Sequence, residues 1–454
     1  GKGNLSSEAN PYFLFPQIYN FRYNIFSSEW PVANRVIELY LQKKSENGGW
    51  ERQINGISNN EKAVLLLEKR TFKELLVDME LRNLQNNIVG QEASRLFARA
   101  EINMGVEAFR DSLYSLLKRN TFLNIKFENM LDTLGEISRT DIRSLLGEWE
   151  KTTPLPFYSL GEPTLTKITN KGGEEFFVLK MLISNNSDYD GIIHMDIRKD
   201  GWWYQSLEDP RAKTKIEMPA HTSKEFVSVW EDQIRNVEIN TMVSGNLPNI
   251  ISQDINNVKQ ERNKIVKDSI YILPESSFDL PGEIIVDNED STLFILSAPP
   301  IVGLLPKWLD EVEETPFKYS GISWWRPPLQ WTATTNDRYY GKYIRSAFVI
   351  KSGDGSQTAT WKVPVPEVGQ YDLYYHVFKD DELRWNNNLQ GEYHFKVKYG
   401  SEVEDAYVNL RKANEGWEQL GSYYFDSDTI RVVLTDECKL RSVTADAVKI
   451  VKRY

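Results

Sequence analysis

From Glu29 to about residue 150, apolar positions recur at helical spacing. In EWPVANRVIELYLQKKSENG, Val32, Val36, Ile37, Leu39 and Leu41 form one stripe, closed by Gly48. Ser58-Asn59-Asn60-Glu61 supplies a cap and an acid for the first turn of a second helix, which continues through KAVLLLEKR. Thr71 is placed to cap a third, FKELLVDMELRNLQNN. QEASRLFARAEINMG and VEAFRDSLYSLLKRN read as a helical hairpin around Gly105, and FENMLDTLGEISRTDIRSLLGEWEK as two further helices. The pattern therefore predicts an all-α domain over residues 1–155.

From Pro163 the period changes to two. TLTKITN, EEFFVLKMLISNN, GIIHMDIRKD, AKTKIEMPAHTSKEFVSVW and NVEINTMVS read as short strands punctuated by Gly, Asn, Asp and Pro, with a hairpin turn at Lys171-Gly172-Gly173. Short strands at this spacing predict an immunoglobulin-like β-sandwich over residues 156–248. Alternation lapses over 249–282, which reads as a polar connector with room for one short helix. It returns at EIIVDNEDSTLF (283–294), TATWKVPVPEVGQYDLYYHVF (358–378) and GWEQLGSYYF (416–425), then in two β-branched runs, Ile430–Leu434 and Val448–Val451. Gly421 inside one of these strands marks a bulge or a close backbone approach. A second antiparallel sandwich over 283–454 follows, and the fold class is multi-domain α+β, with an N-terminal helical domain and two β-sandwiches.

Five ordered pieces of this last region carry a resemblance. They are Asp287-Asn288-Glu289-Asp290, Ala359-Thr360-Trp361, Gly369-Gln370-Tyr371, Gly416-Trp417 with Leu420-Gly421, and Ala445-Asp446-Ala447-Val448. With them the region resembles the golvesin C-terminal-like domain, also known as the carbohydrate-binding-like module of xanthan lyases. That likeness implies a sandwich and points to an extracytoplasmic, glycan-associated role. Upstream, Gly105-Val106-Glu107-Ala108-Phe109, the helix ending LLKRN and Pro154-Leu155-Pro156 resemble the post-catalytic helical and β-sandwich parts of gluzincin-type aminopeptidases, over roughly residues 25–245. The zinc motif of that family is missing. Its H-E-x-x-H places two imidazoles on one helix face, whereas His194, His221, His376 and His394 have no histidine four residues away and fall in predicted strands or loops.

Bulk properties narrow the function. At 454 residues the chain exceeds a single core, and about three domains follow from roughly 150 residues each. A formal net charge of −11 argues against a nucleic-acid surface, which needs clustered cations. The single Cys438 excludes an intrachain disulfide framework or a cysteine-rich metal site. There is no apolar run of ~18 residues to cross a bilayer, and the polar start GKGNLSSEAN has no signal-peptide pattern, so the sequence reads as the soluble tail of something longer. Possible partners are then a polysaccharide or cell-surface glycan, and upstream domains of the same protein, in a periplasmic or extracellular setting.

Candidate chemistry concentrates in YSGISWWRPPLQWTATTNDRYYGKYIR (319–345). Trp324, Trp325, Trp331, Tyr339 and Tyr340, with Trp385 from the loop 379–393, make a glycan platform: ring faces stack on sugar rings while neighbouring Arg, Asn and Asp bond hydroxyls. The competing reading is that these rings pin a long loop or fill a domain interface, and it applies equally to Trp202 and Trp203. Asp380, Asp381 and Glu382 could gather a structural calcium, but the loop lacks EF-hand spacing and reads more readily as a solvated acidic loop. No other cofactor or metal is implied. Asp287 and Asp290 are expected to bond backbone amides at the domain entrance, Trp361 and Trp417 to anchor the sandwich, and Asp446 to tie neighbouring loops. Tyr375, His376 and Arg384 are the residue types a polysaccharide lyase would use, without a pattern that singles them out. The sequence thus points to a non-catalytic, extracytoplasmic binding or targeting fragment. The alternatives are an architectural part of a larger peptidase-like or membrane protein, and a lyase or hydrolase with a cryptic site.

Overall fold

The fold is that of a computed structural model, which describes residues 23–42, 49–199, 205–207, 209–262, 266–274, 282–297, 317–323, 326–379 and 391–453. The chain divides into two units, one made of residues 1–48 and 59–277, the other of 49–58 and 278–454.

The first unit begins with β1 (Asn24–Phe26) and α1 (Ala33–Leu41). After α2 (Gly49–Asn55), which clusters with the second unit, come α3 (Asn59–Lys69), α4 (Phe72–Leu76), α5 (Gln85–Met104), α6 (Val106–Arg119), β2 (Asn124–Lys126) and α7 (Phe127–Ser138). Thr71 caps α4 with a complete capping box: its Oγ1 accepts from Glu74 N at 3.2 Å, and the Glu74 carboxylate accepts from Thr71 N at 2.9 Å. The single helix predicted from Phe72 to Asn87 is broken, because Asp78 accepts the Glu80 N–H and starts a 3-10 turn, Met79–Leu81, before α5. Likewise the last predicted helix is a 3-10 run, Arg143–Glu150. Gly105, at φ +87°, ends α5 and starts α6 in a conformation that costs glycine little. The region is not purely helical, since β1 and β2 pair in parallel. Its core centres on Trp149, with Trp30 edge-on at 5.0 Å and Phe72 at 4.9 Å between ring centroids.

The same unit then turns to sheet. One sheet runs in the order β11 (Ile250–Asp254), β10 (Ile234–Asn240), β6 (Gly191–Lys199) and β7 (Gln205–Ser206), with β8 (Lys213–Met218) also on β6. The other runs β12 (Val258–Arg262), β4 (Thr164–Thr169), β5 (Glu175–Asn185), β9 (Thr222–Trp230) and β13 (Ser269–Pro274), with β3 (Tyr158–Leu160) on β5. Alternate residues such as Ile193, Met195 and Ile197 of β6, and Val237 and Ile239 of β10, bury into one core with Leu165 and Leu179. Residues 250–274 correct the sequence reading: instead of a connector they supply three strands, one to the first sheet and two to the second. Their signal is weak because β12 and β13 are exposed at nearly every position.

The second unit is a β structure. Its first sheet is β14 (Glu283–Val286), β25 (Val448–Lys452), β19 (Gly369–Val377) and β22 (Gly416–Phe425). A second is β15 (Phe294–Ser297), β18 (Thr358–Pro364), β23 (Thr429–Thr435), β20 (Glu392–Tyr399) and β21 (Glu402–Asn409). A third, smaller sheet holds β16 (Thr332–Thr335), β17 (Ser346–Lys351) and β24 (Ser442–Ala445). Trp361, Tyr371, Tyr375, Phe395 and Phe425 fill its core. The pairing of β19 with β22 slips between Leu373–Gly421 and Tyr374–Gln419, so Leu420 is the extra residue of a bulge. Gly421 stands beside it with the Tyr423 hydroxyl 2.6 Å from where a Cβ would lie.

Residues 49–58, which the helical pattern assigns to the first domain, are stitched into this second unit. Thr335 Oγ1 donates to Gly56 O at 2.6 Å, and a Cβ on Gly321 would lie 1.8 Å from Ile54 O. Gly321→Ala is therefore expected to destabilise the unit by about 1–3 kcal/mol, the usual range for overpacking. Chemical denaturation checks this, and an unchanged midpoint would show that the segment yields without cost.

Candidate functional site

Strand β19 sets up the site through its alternation. Tyr371, Leu373, Tyr375 and Val377 point into the core, so Asp372, Tyr374 and His376 share the opposite face. Across the ladder, Trp417 of β22 pairs with His376, Gln419 with Tyr374, and Ser422 with Asp372, while Lys449 of β25 pairs with Tyr374 on the other side. The outer face thus collects rings and polar groups from three strands. Tyr340 joins it from the segment between β16 and β17. Its ring lies 5.1 Å from Trp417 and 5.8 Å from His376, and His376 is 5.2 Å from Trp417. All three are partly exposed. Lys449 Nζ lies 4.9 Å from the centroid of the Trp417 ring and 5.4 Å from that of Tyr374, and pairs with Glu283 at 3.0 Å.

Behind this face stands Asp446, which is fully buried. His376 Nδ1 lies 2.9 Å from one of its oxygens, and the Tyr340 N–H reaches both oxygens at 3.2 Å. One carboxylate therefore fixes the imidazole on β19 and the backbone that carries Tyr340. The same residue accepts the Trp361 indole N–H at its carbonyl, 3.2 Å away. With Nδ1 directed at the carboxylate, Nε2 is the ring nitrogen left to meet a ligand. Burial pushes the Asp446 carboxyl above its ordinary range, and the neighbouring His376 pulls it back.

Asp287 is held well above the usual carboxylate range, first by burial and then by the charge of Asp446. Its oxygen accepts the Asn288 N–H at 2.6 Å, and Asp290 accepts the Thr292 N–H and hydroxyl. Because the folded state holds a proton on Asp287 more tightly than the unfolded chain, its contribution to stability is full at acid pH. That contribution is lost as pH rises from the unfolded value near ~4 through the raised folded value. Asp287→Asn is expected to flatten this part of the melting temperature–pH curve of the second unit. A variant whose curve keeps the wild-type slope would assign the slope to other groups.

Of the sequence-derived platform, Trp324, Trp325 and Trp385 lie outside the described residues, as do Trp202, Trp203 and the acidic trio Asp380, Asp381 and Glu382. Trp331 packs against the core of the second unit, and Tyr339 is buried with its ring 4.6 Å from Phe378. Of the platform residues that are described, Tyr340 is the one brought onto the outer face, beside Trp417 and His376. Trp361 is wholly internal. Sequence reasoning passes over Tyr374 and Lys449, and treats His376 as a sheet residue. The usable signal is the polar and aromatic half of the alternation in Gln370–His376. Among the described residues no group of three or more His, Cys, Asp or Glu side chains is placed to hold a metal ion, and no helix is long and apolar enough to cross a membrane.

Residues 327–452 match the family model of the Golvesin C-terminal domain, so this part of the chain is golvesin-like. No curated protein matches the chain. Among solved structures, a Bacteroides uniformis beta-glucuronidase aligns at 11% identity and a TM-score of 0.19, over 66% of this chain and 30% of that one. Bacteroides uniformis beta-glucuronidase 2, covalently bound to cyclophellitol-6-carboxylate aziridine, aligns at 12% identity and a TM-score of 0.19, over 77% and 38%. The chain thus spans about a third of the length of these proteins, at scores too low to carry an argument.

Proposed function

We propose that this chain is a non-catalytic, extracytoplasmic binding protein whose golvesin-like unit recognises glycan on the outer face of the sheet β14–β25–β19–β22. The observation that carries the reading is the partly exposed cluster of Tyr340, His376 and Trp417, locked from behind by buried Asp446. Fixed rings offer stacking area at little entropic cost, and the imidazole Nε2 and Lys449 add directional polar contacts. Trp324, Trp325 and Trp385 remain candidates to extend the platform. A periplasmic or extracellular location, and an upstream peptidase-like part implied by the resemblance of residues 25–245, belong to the same proposal.

A glycan array followed by calorimetry on the best ligand tests it. Trp417→Ala is expected to weaken binding by about 1–3 kcal/mol, the range seen when an aromatic stacking partner is truncated to alanine, with the fold retained. Binding that survives both Trp417→Ala and Tyr340→Ala would remove the site. The second reading is architectural, and the packing of Trp331 against the core and the burial of Tyr339 favour it. An array with no hits would support it.

A further inference from the structure

The first unit carries a small patch that its own fold does not use. After α6 the chain makes a tight turn at Asn120–Leu123, closed by the Leu123 N–H donating to Asn120 O at 3.0 Å. The turn is anchored on one side by Asn120, whose side-chain amide donates to Leu116 O at 2.8 Å. On the other side Asn24 N–H donates to Leu123 O at 3.2 Å, next to the parallel pair β1–β2. The backbone is thus held at both ends while the side chains at its apex stand in water. Phe122 is 79% exposed and Leu123 55%. Phe122 also sits at φ +63°, a conformation costly for a bulky residue. Phe26, exposed as well, pairs in register with Lys126 beside them.

Three cations surround this apex: Lys118 and Arg119 before it, Lys126 after it. All three are exposed, and none has an ion-pair partner among the described residues. Lys118 and Arg119 also suit the C-terminal end of α6. Lys126 has no such reason to be there. Arg119 and Lys126 line a groove of about 550 Å³ between α6 and α7, whose one acidic wall residue is Asp111. In a chain of net charge −11, a local group of three cations without ion-pair partners among the described residues, set around an apolar tip, goes against the overall balance.

We propose that this tip docks on an anionic lipid surface, with Phe122 and Leu123 entering the headgroup–acyl boundary and Lys118, Arg119 and Lys126 meeting lipid phosphates. The shape favours lipid over a protein partner. Phe122 can bury at most about 150–250 Å² and Leu123 is only 55% exposed, so the tip falls well under the roughly 800 Å² per partner of a stable protein interface. A bilayer needs no matching surface, and it combines a shallow apolar insertion with attraction to nearby cations. The proposal stands apart from the glycan site, which lies in the other unit.

Cosedimentation of the whole chain with phosphatidylcholine vesicles, with and without phosphatidylglycerol, tests it. The protein is expected to pellet with the anionic vesicles only, and to be released by salt. Each cation near the surface is worth about fivefold in partitioning, so Lys118→Gln, Arg119→Gln and Lys126→Gln together should weaken binding on the order of a hundredfold. Phe122→Gly separates docking from folding: it suits the positive φ and should keep or raise the melting temperature while reducing pelleting. Wild-type protein left in the supernatant with anionic vesicles overturns the proposal. So does pelleting that neither the cation variant nor Phe122→Gly reduces.

Discussion

Asp446→Ala is expected to destabilise the second unit by about 3–5 kcal/mol, the range for breaking a buried charge-bearing network from one side. Two groups lose their acceptor at once: the His376 ring, 2.9 Å from one carboxylate oxygen, and the Tyr340 N–H, which reaches both. Leaving a buried donor unpaired costs more than forming the bond contributes. The loss should extend to ligand binding, since that carboxylate positions both Tyr340 and His376. Asp446→Asn keeps an acceptor for one of the two partners and should fall between alanine and wild type. Thermal unfolding of the three proteins gives the ranking. Equal stability for alanine and wild type would mean that water replaces the carboxylate and that the cluster is not locked from behind.

Trp149→Ala is expected to cost the first unit about 3–5 kcal/mol, as large aromatic deletions from a packed core do. Trp149 is almost wholly buried, and Trp30, Phe72 and Phe127 all pack against it. Its indole also helps hold down the carboxyl of the buried Glu92, which burial pushes up. The variant therefore leaves a cavity beside a buried acid. The second unit should melt at its usual temperature, so a biphasic melt with one shifted transition is the expected record. A shift of both transitions together would instead show that the units unfold as one.

What the sequence reveals follows burial. Helices α5 and α6, with Gly105 between them, and strands β18 and β19 show one buried and one wetter face, and their periods are plain in the residues. Strands β12 and β13 have almost no buried side, so Ile270, Tyr271 and Ile272 carry no alternation and read as part of a connector. The site is harder. Tyr340, His376, Trp417 and Asp446 come from four separate stretches: a pairing register joins His376 to Trp417, and hydrogen bonds to Asp446 bring in Tyr340 and fix His376. Aromatic density near residue 325 draws attention to that stretch, yet Trp331 and Tyr339 there serve the interior. The decisive residue, Asp446, stands out in the sequence by its apolar neighbours, because a carboxylate in such company needs partners.

Strand β25 occupies the middle of its sheet, between β14 and β19, although it is the last strand in chain order. The pairing that unites this sheet is therefore non-local: residues 448–452 close against β14 and β19 together, so loss of this one strand would leave β14 without its sheet partner and β19 with β22 alone.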